Sequence, residues 1–410
     1  MNKDFDHNIR QINGPINVVR LEGEIHGIKK VIYLFMDYHI PLPIQTECTN
    51  VYSKDANKYL SESFFELNNA SKKYDFFMEI RPTEIMDRGK LKEQKNIYIK
   101  QIAKLFSMIF IYDKEHNKVN ISDYFKNIRL HYLDVRDYLK LHIYDYINSA
   151  SFNASEMVYN GLNPDVLNDI IDALKQGKEH LDTTIEILMN PKYEIANKTS
   201  VISDIPYREL NPEIVARLSN KMISLYNHND VKEVLNSKYF NLINDLKKLS
   251  NDINDSITIF NEYATTIINS YGKMIKDQYL NSWHRGLTGI VLRNMSVDVS
   301  NRCDKIFFEL VNLFAYLTDI YFMRRFLDKD YVTNAIVYTG ATHSENYINL
   351  LVGHFDFNIT HVAYSSIDDM DALTKETITR INNKEDIYDL FNPEKVYQCS
   401  DITHFPKNFE

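Results

Sequence analysis

The chain is short of cysteine, of basic excess and of long apolar runs, and each shortage removes a class of function. Only three cysteines occur in 410 residues, Cys48, Cys303 and Cys399, with no Cys-x-x-Cys among them. That is neither a disulfide framework nor a zinc ribbon, and it suits a reducing compartment. The formal net charge is −9, so there is no basic footprint for nucleic acid, and the pair Arg324-Arg325 reads as solvated helix surface. The first residues, Met1-Asn2-Lys3-Asp4-Phe5-Asp6-His7, carry charge where a secretory leader needs an apolar run. The apolar stretch 102–112 is too short to span a bilayer, and 306–326 is interrupted by Glu309 and Asp319. Both read as core helices of an intracellular, soluble protein with no membrane partner. Disordered tails, low-complexity blocks and short-period repeats are missing too. So are Gly-x-Ser-x-Gly, the P-loop, Gly-x-Gly-x-x-Gly and His-Glu-x-x-His, which argues against serine-triad hydrolysis, nucleoside-triphosphate hydrolysis and dinucleotide redox.

What remains is an ordinary globular composition, 44% hydrophobic and 25% charged, long enough for a large core. The bias toward Asn, Lys, Ile and Tyr (28 Tyr) matches an AT-rich coding sequence and carries no chemistry. Apolar runs at 16–21 and 31–36, with Gly27-Ile28-Lys29-Lys30 between them, predict a hairpin or tight strand–loop–strand. Side chains alternate along a strand, so Glu22, Glu24 and His26 share one face, as do Asp37 and His39 further on. Pro41-Leu42-Pro43 then stops regular structure. A helix over 55–72, which Asp55 can cap, leads to a strand at 75–80 ending in Arg81-Pro82. Strand, helix, strand predicts a parallel crossover, in which ligands gather at the carboxyl ends, where Glu79 and Arg81 fall. A helix over 97–111 and a strand over 128–133 follow, the strand running out into Asp134-Val135-Arg136-Asp137.

From 163 to 279 strand signals almost vanish. Pro164 and Pro212 occupy first-turn positions, and Ile253, Ile257, Phe260, Tyr263, Ile267, Tyr271 and Met274 keep helical spacing. Breaks recur at Asn190-Pro191 and Asn227-His228-Asn229. Gly289-Ile290-Val291-Leu292-Arg293-Asn294 precedes a long helix over about 299–326, after which a strand at 334–338, a helix at 345–353 and a strand at 359–364 resume the sheet. The expected architecture is α/β, a mixed or mostly parallel central sheet flanked by helices with a large helical insertion. Its parts are 1–150 (first half of the α/β domain), 151–285 (helical insertion or cap) and 286–410 (second half).

Two Gly-x-x-His motifs, Gly23-Glu24-Ile25-His26 and Gly340-Ala341-Thr342-His343, each adjoin an apolar strand. Glycine permits a tight turn or close approach, and an imidazole leaving a sheet edge suits a metal ligand or general base. If the two ends meet with Glu79, they suit Zn²⁺ or Mn²⁺ activating water. Each residue also has a plainer reading. His26 can be a turn residue, and His343 a polar residue at a helix start that Thr342 or Ser344 caps. Glu22 and Glu24 can be solvated strand positions, and Asp37 and His39 can orient one another. Glu79 and Arg81 can pair, Asp134, Arg136 and Asp137 can form a structural network, and Cys48 can sit inert in a polar loop.

The order Gly23-x-x-His26, Glu79, Arg293-Asn294 before a long helix, and Gly340-x-x-His343 resembles a superfamily holding erythromycin esterases, the TraB and Tiki proteins and the ChaN haem-binding proteins. That resemblance implies an α/β sheet with helical additions and, as in some members, metal-dependent hydrolysis. It makes His26 and His343 metal ligands or catalytic bases, Glu79 their carboxylate partner, and Arg293 the stabiliser of the site or of a developing anion, a role the strand-end Arg81 can also fill. Glu24 resembles the glutamate of the esterase Gly-Glu motif, at a spacing one residue shorter. Four segments, 33–48, 75–82, 130–137 and 397–406, resemble an uncharacterised family of mimivirus-type giant viruses. That implies a viral protein of the host cytoplasm or the virion. The expected function is a metal-dependent hydrolase, esterase- or protease-like, acting on a small molecule or peptide. The alternative is a non-catalytic component that binds other viral proteins.

Overall fold

The computed structural model describes residues 10–39, 47–81, 97–113, 118–136, 143–190, 212–276, 282–395 and 397–409. Pro41-Leu42-Pro43, Pro82 and Asp137 lie outside them. The chain divides into two compact units, one of residues 1–135 with 321–410 and the other of 136–320.

In chain order the first part contributes β1 (Gln11–Asn13), β2 (Asn17–Ile25), β3 (Ile28–Asp37), β4 (Lys54–Asp55), α1 (Ala56–Glu66), β5 (Tyr74–Met78), α2 (Tyr98–Ile109), β6 (Tyr112–Asp113), β7 (Lys118–Val119) and β8 (Ile128–Tyr132). The helical unit follows with α3 (Ile143–Asn160), α4 (Pro164–Met189), α5 (Pro212–Ile223), α6 (Asn229–Lys276) and most of α7 (Ser282–Asp328). The chain ends with β9 (Asn334–Gly340), α8 (Ala341–His354), β10 (Asn358–Val362), α9 (Met370–Asn383), α10 (Tyr388–Phe391) and β11 (Cys399–Asp401).

The fold is mixed α/β. Its main sheet has the order β10-β2-β3-β9-β5-β8, with β3, β9, β5 and β8 parallel and β2 antiparallel to both its neighbours. A small sheet joins β1 to β11 (antiparallel) and β4 (parallel). The central strands are buried on both faces, which is why they read as unbroken apolar runs. On one face Tyr33 and Phe35 of β3 and Ile336 and Tyr338 of β9 pack with Leu60, Phe64 and Phe106 of the helices. On the other, Phe77 packs edge-on against Phe322, and Phe322 against Tyr347 of α8. Gly23 has no room for a side chain, because a Cβ there would lie 2.5 Å from the Phe357 ring. Lys30, fully buried, donates to the carbonyls of Phe326 (2.9 Å), Lys329 (3.0 Å) and Val332 (2.7 Å), closing the end of α7.

The strand–helix–strand expectation holds, since β3 and β5 are parallel, with β9 between them. Two other sequence expectations need correcting. The segment from Gly289 to Asn294 lies inside α7, which begins at Ser282. Cys48 and Cys399 are not isolated thiols but a disulfide. Their neighbours explain the meeting: Asn13 pairs in register with Cys399, and its side-chain oxygen accepts from Cys48 N at 2.9 Å. Within the helical unit, α4 packs on α3, α5 and α6, and Gly177 lets Ile147 approach. Among the described residues one stretch, Gly289–Asp328, is long and apolar enough to cross a membrane by length and composition, and half of its apolar window is buried.

Candidate functional site

Four parallel strands end at the same edge of the sheet, and each delivers a polar group there. β3 ends at Asp37, opposite Gly340 at the end of β9, and Glu79 follows β5. Asp134 follows β8. Ligand sites in such sheets lie beyond the carboxyl ends of the strands.

Glu79 is the hub. Its Oε2 accepts from Gly340 N at 2.8 Å and Thr339 Oγ1 at 2.9 Å, and lies 3.3 Å from His39 Nε2. Its Oε1 faces His343 Nε2 at 3.1 Å. His39 turns back on itself with φ 54°, a conformation held by Asp37. Asp37 Oδ1 accepts from His39 N at 3.2 Å, and Asp37 Oδ2 faces His39 Nδ1 at 3.3 Å. Gly340 starts α8, whose amino end favours the carboxylate. A Cβ on Gly340 would sit 3.2 Å from His39 Nε2 and 3.4 Å from Glu79 Oε2, so the glycine leaves the room this cluster needs.

Burial works to raise the Glu79 carboxyl, but His343 and His39 outweigh it and hold the group well below the usual carboxylate range. Burial likewise works to lower His39, yet the hydrogen bonds it donates to Asp37 and Glu79 lift it to about 10. At neutral pH His39 is an imidazolium facing the Glu79 carboxylate, with Asp37 on the other side of its ring. Beside it, Arg81 Nε bonds Asp134 Oδ2 at 3.2 Å, with Asp134 buried and Arg81 partly open to solvent.

The two Gly-x-x-His motifs do not meet. His26 stands with φ 52° in the exposed turn between β2 and β3, followed by Gly27 at φ 76°, the backbone of a tight hairpin. β2 runs antiparallel to the four site-bearing strands, so its end lies at the opposite edge of the sheet. From Ile28 to Asp37 the ten residues of β3 span about 30 Å, whereas ligands of one ion lie about 2 Å from it. Glu24, exposed and paired in register with Lys29, is at the same far edge. Arg293 lies in α7, on an exposed position, with no strand before it. Arg136, half-buried, stands at the start of the other unit.

His39, a secondary candidate from sequence, stands where His26 was expected. The signal was present, since Asp37-x-His39 ends a strand parallel to the others, but only the pairing direction distinguishes that end from the end of β2. Thr339 and the amide of Gly340 gave no sequence signal of their own. A further cluster joins the buried Asp75, near the start of β5, to Arg129 Nε (2.8 Å) and His131 Nε2 (2.7 Å) of β8. Burial, with Arg325 and Arg129 nearby, pushes His131 down to about 4, so it is a neutral packing partner of Asp75.

A divalent ion does not fit this donor set. Both nitrogens of His39 face carboxylates, and both oxygens of Glu79 are already engaged. Among the described residues no group of three or more His, Cys, Asp or Glu is arranged to hold a metal ion.

Fold and site together define a mixed α/β protein with an imidazole–carboxylate cluster at its parallel strand ends. The chain belongs to a family of unknown function, DUF5847, whose model matches residues 10–410. It is 42% identical over 419 residues to uncharacterized protein R706 of Acanthamoeba polyphaga mimivirus, covering all of this chain and 99% of that one. Uncharacterized proteins R160 and R161 of the same virus are 35% and 34% identical, each over 438 residues and each covered to 99%. No solved structure matches.

Proposed function

We propose that the cluster around Glu79 is the acid–base site of a hydrolase-like viral protein acting on an ester or peptide bond. The observation that carries this reading is the Glu79 carboxylate shared between His39 and His343, with Gly340 clearing the space. Glu79 orients both imidazoles. His343 takes the place of a base whose tautomer a carboxylate sets, as in carboxylate–imidazole pairs generally. His39, bonded to carboxylates through both nitrogens, keeps Glu79 ionised, and Arg81, partly open to solvent at the same strand ends, is the cation an oxyanion needs. None of these roles calls for a metal. Of the two locations its viral kinship suggests, the Cys48–Cys399 disulfide favours the virion over a reducing cytoplasm.

The test is a panel of chromogenic esters and fluorogenic peptides with the purified protein, its metal content measured alongside. Turnover falling at least about 100-fold in Glu79→Gln and His343→Ala, with His26→Ala unchanged, supports the reading. Turnover that survives both substitutions, or none in the wild type, removes it. A bound stoichiometric ion would restore the metal-dependent alternative.

One observation favours the non-catalytic reading. A groove of about 490 Å³ is lined by Phe65, Ile109, Tyr124 and Phe125 with Glu62 and Glu66, and Phe65 and Tyr124 are largely exposed. Exposed aromatic surface of this kind marks partner contacts. Capture of other viral proteins that Phe65→Ser abolishes, from a protein with no hydrolytic activity, would decide for that reading.

A further inference from the structure

The last strand of the chain returns to the site. Gln398, fully buried, precedes Cys399, and its carbonyl accepts from Gly14 N at 2.9 Å. Its amide orientation follows from its neighbours, which are acceptors. With the nitrogen turned toward them, it donates to the Gly14 carbonyl and to Asp37 Oδ1, the latter at 3.2 Å. Asp37 in turn holds the backbone and ring of His39. Four groups thus stand in line: the disulfide, Gln398, Asp37 and His39. The bridge also ties down Cys48, nine positions after His39 in the sequence. Both cysteines are partly exposed, so a thiol can reach the bond.

We propose that the Cys48–Cys399 disulfide is a redox-responsive site whose oxidised form presses Gln398 onto Asp37 and so fixes His39 in front of Glu79. The reductant is a dithiol. Its thiolate attacks one sulfur, the S–S bond breaks, and its second thiol closes to a cyclic disulfide. Two electrons and two protons pass to the protein, leaving two cysteine thiols. Freed of the bridge, the segment carrying Gln398 is held by its short pairing with β1 and by the Gly14–Gln398 and Ser400–Pro15 hydrogen bonds. These leave the Gln398 side chain room to withdraw, and Asp37 loses a donor. Gln398 is a positioning residue acting through Asp37. The inference rests on the reading of His39 and Glu79 as the functional pair, but its test needs no substrate.

The experiment is carbethoxylation of histidines by diethyl pyrocarbonate on the full chain, read by mass spectrometry with and without dithiothreitol. The reagent attacks an imidazole nitrogen that is free of proton and partner. Exposed His26 serves as the internal reference for reagent dose, and half-buried His131, bonded to Asp75, reports on the rest of the sheet. In the oxidised protein His39 labels slowly against His26. Reduction, or Cys48→Ser with Cys399→Ser, raises its relative rate about fivefold, the ratio one lost hydrogen bond gives. Gln398→Leu produces the same rise while oxidised, and reduction then adds nothing. A His39 rate indifferent to reduction overturns the proposal. So does a parallel rise at His131, which makes the bridge a clamp on the whole fold, or a Gln398→Leu protein that still responds to dithiothreitol. A protein that hydrolyses nothing yet shows the expected labelling keeps the switch and loses only the enzymatic reading.

Discussion

Replacing Glu79 by glutamine keeps the shape of the side chain and an acceptor for Gly340 N, and removes the charge between the two imidazoles together with the acceptor facing His343. His39 sits at about 10 when folded against an ordinary 6.5. A raised folded value means its charge stabilises the fold fully below pH 6.5, and that contribution fades as pH climbs toward 10. Taken whole, the rise corresponds to about 5 kcal/mol. The His39 side chain is 35% exposed, so solvent screens part of this, and Asp37 supplies another part, leaving about 2 kcal/mol for Glu79. The depressed Glu79 carboxyl has the opposite sign: its contribution is present above its ordinary 4.5 and lost as pH falls through the folded value. At pH 6 both charges are therefore in place. Urea unfolding by circular dichroism should show Glu79→Gln less stable than wild type by about 2 kcal/mol at pH 6, the gap shrinking steadily toward pH 10. A gap equal at both ends of that range, or wider at pH 10, would refute the charge argument and leave only a hydrogen-bond effect.

Two further substitutions probe other links. Gly340→Ala meets no backbone strain at φ −59° and ψ 150°, but its Cβ intrudes on His39 and Glu79. Stability should change by about 1 kcal/mol while hydrolysis falls with that of Glu79→Gln, and unchanged hydrolysis would show that the room is not needed. Lys30→Met strands three buried carbonyls at the end of α7, and should cost about 3 kcal/mol in urea unfolding. A loss under about 0.5 kcal/mol would mean water replaces the ammonium there.

The apolar runs of β3, β5 and β9 were legible because strands buried on both faces have no polar side to interrupt them. The helical stretch was legible too: Pro164 stands at the first turn of α4, capped by Asn163, whose side chain accepts from Asp165 N at 2.9 Å. The boundary of α7 was not, because Gly289 and the β-branched Ile290 and Val291 have weak helical preference that the long helix overrides.

By itself the sequence determined the long strands and most of the helices, though not the short strands β1, β4, β6, β7 and β11, and that polar residues such as Asp37, Glu79 and His343 cluster where apolar runs stop. These are local properties, set by side-chain periodicity and burial. Only the tertiary structure decided which of those ends share an edge. Strand direction is a relation between distant segments, so β2, antiparallel to β3, carried His26 to the far side while β9 slipped between β3 and β5. The same long-range pairing brought Cys48 within a bond of Cys399 across 351 residues, which no spacing in the chain foretells.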